Sequence, residues 1–265
     1  MSNLNRENFQ ISKQSVNLTY QAVIIVLHWL GCSLFELEKL LEITATGVNH
    51  LLLPYKVKFV FLQAPNIEVS LDNDWHPGSK MEPAWYNINS EEDLEEGEDD
   101  RGMIESIEWV EEIIKKEIDK GILSRNIFIF GISQGGSMAL AIAMSSQYEL
   151  GGFISVVGFI PYPKVIKRIK NEKNKQTPIF MVNSEEDERI PYEKAQKSEQ
   201  ILKEDGYKIE PLKKLSKLNH ENSIFISPMS LIFFQEIFQK KNLPKLGYFN
   251  RENFVIIEKY ENEQK

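Results

Sequence analysis

The sequence predicts an α/β fold, a mainly parallel central sheet with helices on both faces, and three observations carry that prediction. Short continuous apolar runs at Ala22 to Leu27, Val57 to Leu62, Ile127 to Phe130 and Phe153 to Phe159 have the length of strands buried on both faces. Helical patterns separate these runs, and strands alternating with helices build a parallel sheet covered on both sides. The third run enters Gly131-Ile132-Ser133-Gln134-Gly135, a Gly-x-Ser-x-Gly turn between a strand and a helix of small residues.

That turn organises the chain. Its sharpness forces a strained backbone at Ser133 and leaves no room for side chains at Gly131 and Gly135. The Ser133 hydroxyl is lifted above the sheet, and the backbone N–H of Gln134, at the helix start, points where an oxyanion would form.

Composition bounds the rest. With 265 residues, 42% of them hydrophobic, the chain suits one large core, and a formal charge of -8 with no basic cluster argues against a nucleic-acid partner. One cysteine excludes a disulfide framework, and the start MSNLNRENFQ lacks the basic and apolar regions of a secretory leader, so a cytoplasmic setting is expected. The apolar runs reach about half or less of the ~20 residues that a membrane span needs, so no stable membrane insertion is expected.

Taken in order, residues 1–18 read as a polar N-terminal extension, 19–244 as the α/β domain and 245–265 as a charged C-terminal tail that either docks as an extra strand or hangs free. The first strand ends in His28-Trp29-Leu30-Gly31 before a helix bearing Phe35, Leu37, Leu40, Leu41 and Ile43. Such an H-x-x-G turn can supply a second oxyanion N–H, while a strand-end His is more often a packed or capping residue. Asn66 to Ser79 reads as an irregular loop that roofs a site. Leu71 and Trp75 in it are candidates to line a pocket, and Trp85 is a candidate for the pocket or for the core. Asn89 to Asp100, acidic without one basic residue, matches no calcium loop and reads as a solvated linker. Neither a metal nor another cofactor is expected.

From Met103 the positions Ile104, Ile107, Val110, Ile114 and Ile118 recur at helical spacing up to Gly121. Beyond the elbow follow a strand at Pro178 to Asn183, a helix at Tyr192 to Asp205, a strand near Lys208 to Leu215 and a closing helix at Ser230 to Lys240.

A serine hydroxyl needs a base, and the base needs an orienting carboxylate. Of the four histidines only His220 follows Ser133, just after the last expected strand. Asp187 lies in the turn after the strand 178–183, with Glu185, Glu186, Glu188 and Asp205 as rivals. The order Ser133, Asp187, His220 suits a hydrolase triad on a parallel sheet.

With these motifs in place the chain resembles the acyl-protein thioesterase and carboxylesterase family of small α/β-hydrolases, also called the phospholipase/carboxylesterase family. The likeness runs from about Ala22 to Pro244 and rests on VIIVLHWLG, QAPN, PAWYNI, the acidic approach to Arg101-Gly102, GISQGGSMAL, EEDERIP and LNHE. It implies Ser133 as nucleophile, His220 as general base and acid, Asp187 as its orienter, and the N–H groups of Leu30 and Gln134 as the oxyanion hole. The implied substrate is an acylated protein or a small acyl ester or thioester. Oligomeric state is not implied.

Three positions depart from the pattern. Trp29 stands where the family usually has Gly, Cys32 where it often has Asp, and Asn219 where it commonly has Gly. A side chain at position 29 is expected to hold the Leu30 N–H off the ideal oxyanion position. Cys32 reads as a small packed residue, and Asn219 tolerates a left-handed backbone. The rival reading is a catalytically weak or inactive member that binds acylated proteins or lipids.

Overall fold

The computed structural model describes residues 21–37, 39–40, 57–74, 76–88, 99–241 and 256–261. The N-terminal extension, Trp75, Leu41, Ile43, most of the acidic run and both expected domain boundaries lie outside the described residues. In chain order the elements begin with β1 (Ala22–Leu27), β2 (Val57–Gln63), β3 (Asn66–Val69) and β4 (Lys80–Pro83). Then come α1 (Asp100–Asp119), β5 (Ile127–Ile132), α2 (Gln134–Ser145), β6 (Gly152–Val156) and α3 (Pro163–Ile169). The chain continues through β7 (Ile179–Ser184), α4 (Tyr192–Glu204), β8 (Lys213–Leu215), α5 (His220–Ile226), α6 (Ile232–Lys240) and β9 (Ile256–Glu261).

Among the described residues seven strands form one sheet in the order β8-β7-β6-β5-β1-β2-β9, and each of its pairings is parallel. Alternation along the strands divides the core between the two faces. Val23, Ile25 and Leu27 face the layer of α1 and α2 with Val110, Ile114 and Met138. Ala22, Ile24 and Val26 face the opposite layer with Phe128, Phe130, Phe234 and Phe238. Burial on both faces is why β1 is apolar at every position.

The order of strands also positions the site. From β1 the chain steps outward to β2, returns to β5 on the other side of β1, and then proceeds to β6, β7 and β8. The C-terminal ends of β1 and β5 therefore flank a switch point, where the following connections diverge and leave a crevice. His28-Trp29-Leu30 leaves one end and Ser133 the other. Among the described residues no helix is long and apolar enough to cross a membrane.

Several expectations are corrected. The supposed irregular loop at 66–79 opens with β3, which pairs antiparallel with β4, Asn66 opposite Pro83 and Val69 opposite Lys80. These strands are four residues long and carry Glu68, Lys80 and Glu82, so no apolar alternation announced them. The strand expected to reach Phe159 stops at Val156, because Val157 turns the chain with φ 44°. The closing helix starts as a 3-10 turn at Ser227–Leu231 before α6. In the tail, Ile256–Glu261 docks as the edge strand β9 beside β2.

Candidate active site

The elbow is built from what its glycines lack. A Cβ on Gly131 would lie 2.0 Å from Gly135 O, and one on Gly135 would lie 2.2 Å from Leu27 O. Both are far inside van der Waals contact, so only glycine lets α2 start this close to β1 and β5. Between them Ser133 has φ 54° and ψ -118°, a strained conformation for a residue with a side chain. Its N–H donates to Val156 O at 2.8 Å, and its carbonyl accepts from Ser137 N–H at 3.0 Å, so both neighbouring elements hold the strain in place.

Ser133 Oγ lies 3.0 Å from His220 Nε2. On the far side of the ring, His220 Nδ1 lies 2.7 Å from Asp187 Oδ2 and 2.9 Å from Oδ1. All three residues are buried. Asp187 Oδ1 also accepts the backbone N–H groups of Arg189 (3.0 Å) and Ile190 (2.9 Å), which fixes the carboxylate. With Asp187 an acceptor, Nδ1 carries the proton and Nε2 is left to receive one from Ser133. His220 opens α5, and Asn219 caps it by accepting the Asn222 N–H at 2.9 Å. Asn219 has φ -72°, so its value here is the cap and not the left-handed tolerance expected from sequence.

Each rival carboxylate is engaged elsewhere. Glu185 pairs with Lys214 at 2.9 Å, Glu186 accepts the Lys217 N–H at 2.9 Å and Asp205 pairs with Lys170 at 2.8 Å. Glu188 accepts the backbone N–H of His220 at 3.1 Å, steadying the residue rather than its ring.

The Gln134 side chain ties the elbow to the segment after β4. Its Oε1 accepts the Trp85 N–H at 2.9 Å and its Nε2 donates to Tyr86 O at 2.8 Å. Trp85 donates its indole N–H to His28 O at 2.8 Å and stacks on Trp109. It is buried in the core and is absent from the cavity lining, so of its two expected places it takes the core. Leu71 does line the cavity. Trp75 lies outside the described residues.

The turn after β1 is held from several sides. His28 Nδ1 donates to Trp29 O at 2.6 Å, and His28 Nε2 accepts the Ala64 N–H at 2.9 Å. Burial pushes the pKa of this imidazole down to about 4, against the partial upward pull of its bond to Trp29 O. His28 is thus a neutral brace, the packed alternative weighed from sequence. Gly31, with φ 75°, takes the left-handed position of the turn and donates to Pro83 O at 2.9 Å. Trp29 is not among the residues with positive φ, so its backbone is one any residue can adopt. Its side chain is half-buried against the Ile24 and Phe128 layer and borders the cavity. The conformational ground for expecting a displaced donor at Leu30 is therefore absent. Cys32 is buried, its thiol pKa pushed far up by desolvation, consistent with a packed residue.

Above Ser133 lies a cavity of about 240 Å³ whose wall includes Leu30, Gln134 and His220. Leu71, Tyr86, Ile88, Phe159, Ile190 and Ile224 make much of its surface apolar. His76, Lys80, Glu82 and Lys194 also border it; sequence reasoning placed His76 only within the roofing loop 66–79 and missed the other three. The one available signal was a charged Glu82 directly before Pro83-Ala84-Trp85.

A family model described as phospholipase/carboxylesterase matches residues 8–225. The chain is 33% identical over 178 residues to acyl-protein thioesterase 1 of Yarrowia lipolytica, covering 66% of this chain and 73% of that protein. To acyl-protein thioesterase 1 of Saccharomyces cerevisiae it is 35% identical over 133 residues, half of this chain and 56% of that one. In structure it resembles Arabidopsis thaliana SOBER1, with a TM-score of 0.70 and 25% identity over 84% of this chain and 99% of the other. It shares the fold of Zea mays acyl-protein thioesterase 2 at a TM-score of 0.58 and 21% identity, over 82% of this chain and 94% of that one.

Proposed function

Because the chain belongs to the phospholipase/carboxylesterase family of serine hydrolases with the α/β-hydrolase fold, we propose that it cleaves acyl thioesters and esters through an acyl-enzyme on Ser133. The single observation that carries this reading is the unbroken line from Ser133 Oγ through His220 to Asp187, at 3.0 and 2.7 Å.

In the first half-reaction Ser133 Oγ attacks the acyl carbonyl carbon while His220 Nε2 takes its proton. The carbonyl oxygen becomes an oxyanion facing the N–H groups of Gln134 and Leu30. Collapse expels the thiol or alcohol, which leaves with the proton from His220. In the second half His220 activates a water that hydrolyses the acyl-enzyme, and the carboxylic acid departs. Asp187 keeps the imidazole in the right tautomer and stabilises its charge throughout.

The preferred substrate class is a fatty-acyl thioester on a protein cysteine. It is supported by the likeness to acyl-protein thioesterases and by the apolar wall beside Ser133. Small carboxylic esters and lysophospholipids fall within the same chemistry. The cytoplasm is the expected compartment, in keeping with a sole cysteine held as a buried thiol.

Turnover of thioesters and oxygen esters of graded chain length tests the reading, together with labelling by a fluorophosphonate. Wild type is expected to label once and to turn over, and Ser133→Ala to do neither. Labelling that persists in Ser133→Ala, or binding of acyl groups without any turnover by wild type, overturns it.

A further inference from the structure

The β3–β4 ribbon puts a second histidine–carboxylate pair on the cavity wall, separate from the triad. His76 is buried, and its ring is placed between two acceptors. Nδ1 donates to Leu71 O at 2.9 Å, and Nε2 meets Glu82 Oε1 in a close contact. A carbonyl can only accept, so Nδ1 is protonated; a proton must then lie between Nε2 and the Glu82 carboxyl, whichever of the two holds it. The backbone around His76 is tied down as well. Its N–H reaches Asn73 Oδ1 at 2.8 Å, and Gly78 N–H reaches Asp72 Oδ1 at 2.8 Å.

The other oxygen of Glu82 points at the oxyanion turn. A Cβ added to Gly31 would lie 2.8 Å from Glu82 Oε2, so the carboxylate occupies the space that the glycine leaves open. The adjacent Pro83 carbonyl accepts the Gly31 N–H at 2.9 Å. Of two neighbouring residues of β4, Pro83 therefore holds Gly31, the residue next to Leu30, by a hydrogen bond, and the Glu82 carboxylate packs against it. A buried polar pair on the cavity wall costs desolvation unless its groups are hydrogen-bonded, and this one lies against the turn that carries Leu30.

We propose that Glu82, oriented by His76, is a positioning residue that fixes the Leu30 N–H in the oxyanion hole. The inference rests on the reading of Leu30 as an oxyanion donor. Losing a donor outright costs about a hundredfold to a thousandfold in turnover. A loosened donor should cost less, about tenfold to a hundredfold in kcat.

The test uses a short-chain ester, Glu82→Met, Glu82→Gln, His76→Phe and the Glu82→Met/His76→Phe double variant. Glu82→Met and His76→Phe are expected to lower kcat by about tenfold or more, with KM changed less than about twofold. Glu82→Gln, which keeps an acceptor of the same size, should recover most of the rate. The double variant should be no slower than the slower single one, as expected of a pair that acts as a unit. Where Glu82→Met fails to fold, His76→Phe decides. Affinity for a boronic acid that forms a tetrahedral adduct on serine should fall in parallel with kcat, whereas affinity for the product carboxylate should not.

The Leu30 amide proton, followed by NMR, separates the two claims. In wild type it should shift downfield when the boronic acid binds, and no shift there overturns the donor reading itself. A shift that is unchanged in Glu82→Met and His76→Phe overturns the positioning inference alone. A rise in KM with kcat intact also overturns it, because the pair would then be contacting substrate.

Discussion

His28 Nε2 accepts the backbone N–H of Ala64 across 2.9 Å, fastening the end of β1 to the end of β2 at the turn that carries Leu30. Only a neutral ring can do this. Burial holds the folded pKa near 4, against 6.5 for an exposed histidine. The unfolded chain therefore binds more protons than the folded one between those values, and stability rises with pH across that window. The contribution is complete above about pH 6.5, declines as pH falls and is lost below about pH 4. The full loss is about 3 kcal/mol, from roughly 1.4 kcal/mol per pKa unit. Urea denaturation at pH 7, 5.5 and 4.5 checks this. His28→Asn should be less stable than wild type at pH 7, and the gap should close by about 3 kcal/mol towards pH 4. A gap independent of pH refutes it.

Trp29 gives a second prediction, opposite to the one its sequence position suggests. With an ordinary φ and an indole packed beside the cavity, Trp29 braces the turn whose carbonyl accepts from both His28 Nδ1 and Cys32 N–H. Trp29→Gly removes packing and adds backbone freedom, each unfavourable by about 1 kcal/mol or more. Turnover should fall, and melting temperature with it. A kcat at least tenfold above wild type would restore the idea of a displaced Leu30 donor.

What was legible from sequence follows from where local chemistry is decisive. The elbow could be read because steric necessity selects glycine at 131 and 135 whatever else the fold does. Ser133, Asp187 and His220, proposed here as the triad, could be grouped from sequence because a parallel sheet sends Asp187 and His220 to the same edge as Ser133, and only one histidine follows the serine. The His76–Glu82 pair could not. It depends on β3 pairing with β4, a tertiary event between short polar strands with no apolar period. Trp85 shows a related limit, since a tryptophan beside a motif looks the same in sequence whether its indole faces the cavity or donates to His28 O.

The elbow also makes a prediction about folding. A methyl at position 135 would be driven into Leu27 O and His28 O, at 2.2 and 2.6 Å, both of them backbone atoms that cannot swing away. Gly135→Ala is expected to yield little folded protein, or to lose several kcal/mol of stability. Gly121→Ala is the control. It has φ +97° but nothing within 4 Å of the added carbon, so it should cost only about 1 to 2 kcal/mol of backbone strain. Thermal melts of both variants decide the matter. Equal losses would mean that the backbone at Leu27 and His28 yields to the methyl, and that the close approach of α2 to β1 does not set the requirement for glycine.

The carboxylate of Asp187 makes the sharpest prediction, because its substitution can change a tautomer while leaving the fold alone. Its Oδ1 accepts from the backbone of Arg189 and Ile190 at 3.0 and 2.9 Å, and a carboxamide oxygen in Asp187→Asn can keep both bonds. The amide NH₂ is then turned towards His220 Nδ1, where Asp187 Oδ2 stood at 2.7 Å. Facing this NH₂ at the shorter of its two contacts, Nδ1 is expected to give up its proton and Nε2 to carry it, although Oδ1 stays at 2.9 Å. In that tautomer Nε2 cannot take the proton of Ser133, 3.0 Å away. Turnover should fall about ten-thousandfold, equivalent to about 5.5 kcal/mol of transition-state stabilisation, with melting temperature nearly unchanged. Glu188→Gln is the comparison. Glu188 holds the backbone N–H of His220 at 3.1 Å, and a glutamine oxygen can still accept there, so this variant should stay within about tenfold of wild type. If the two variants exchange these outcomes, the acid of the triad is Glu188, and the contact between His220 and Asp187 is structural.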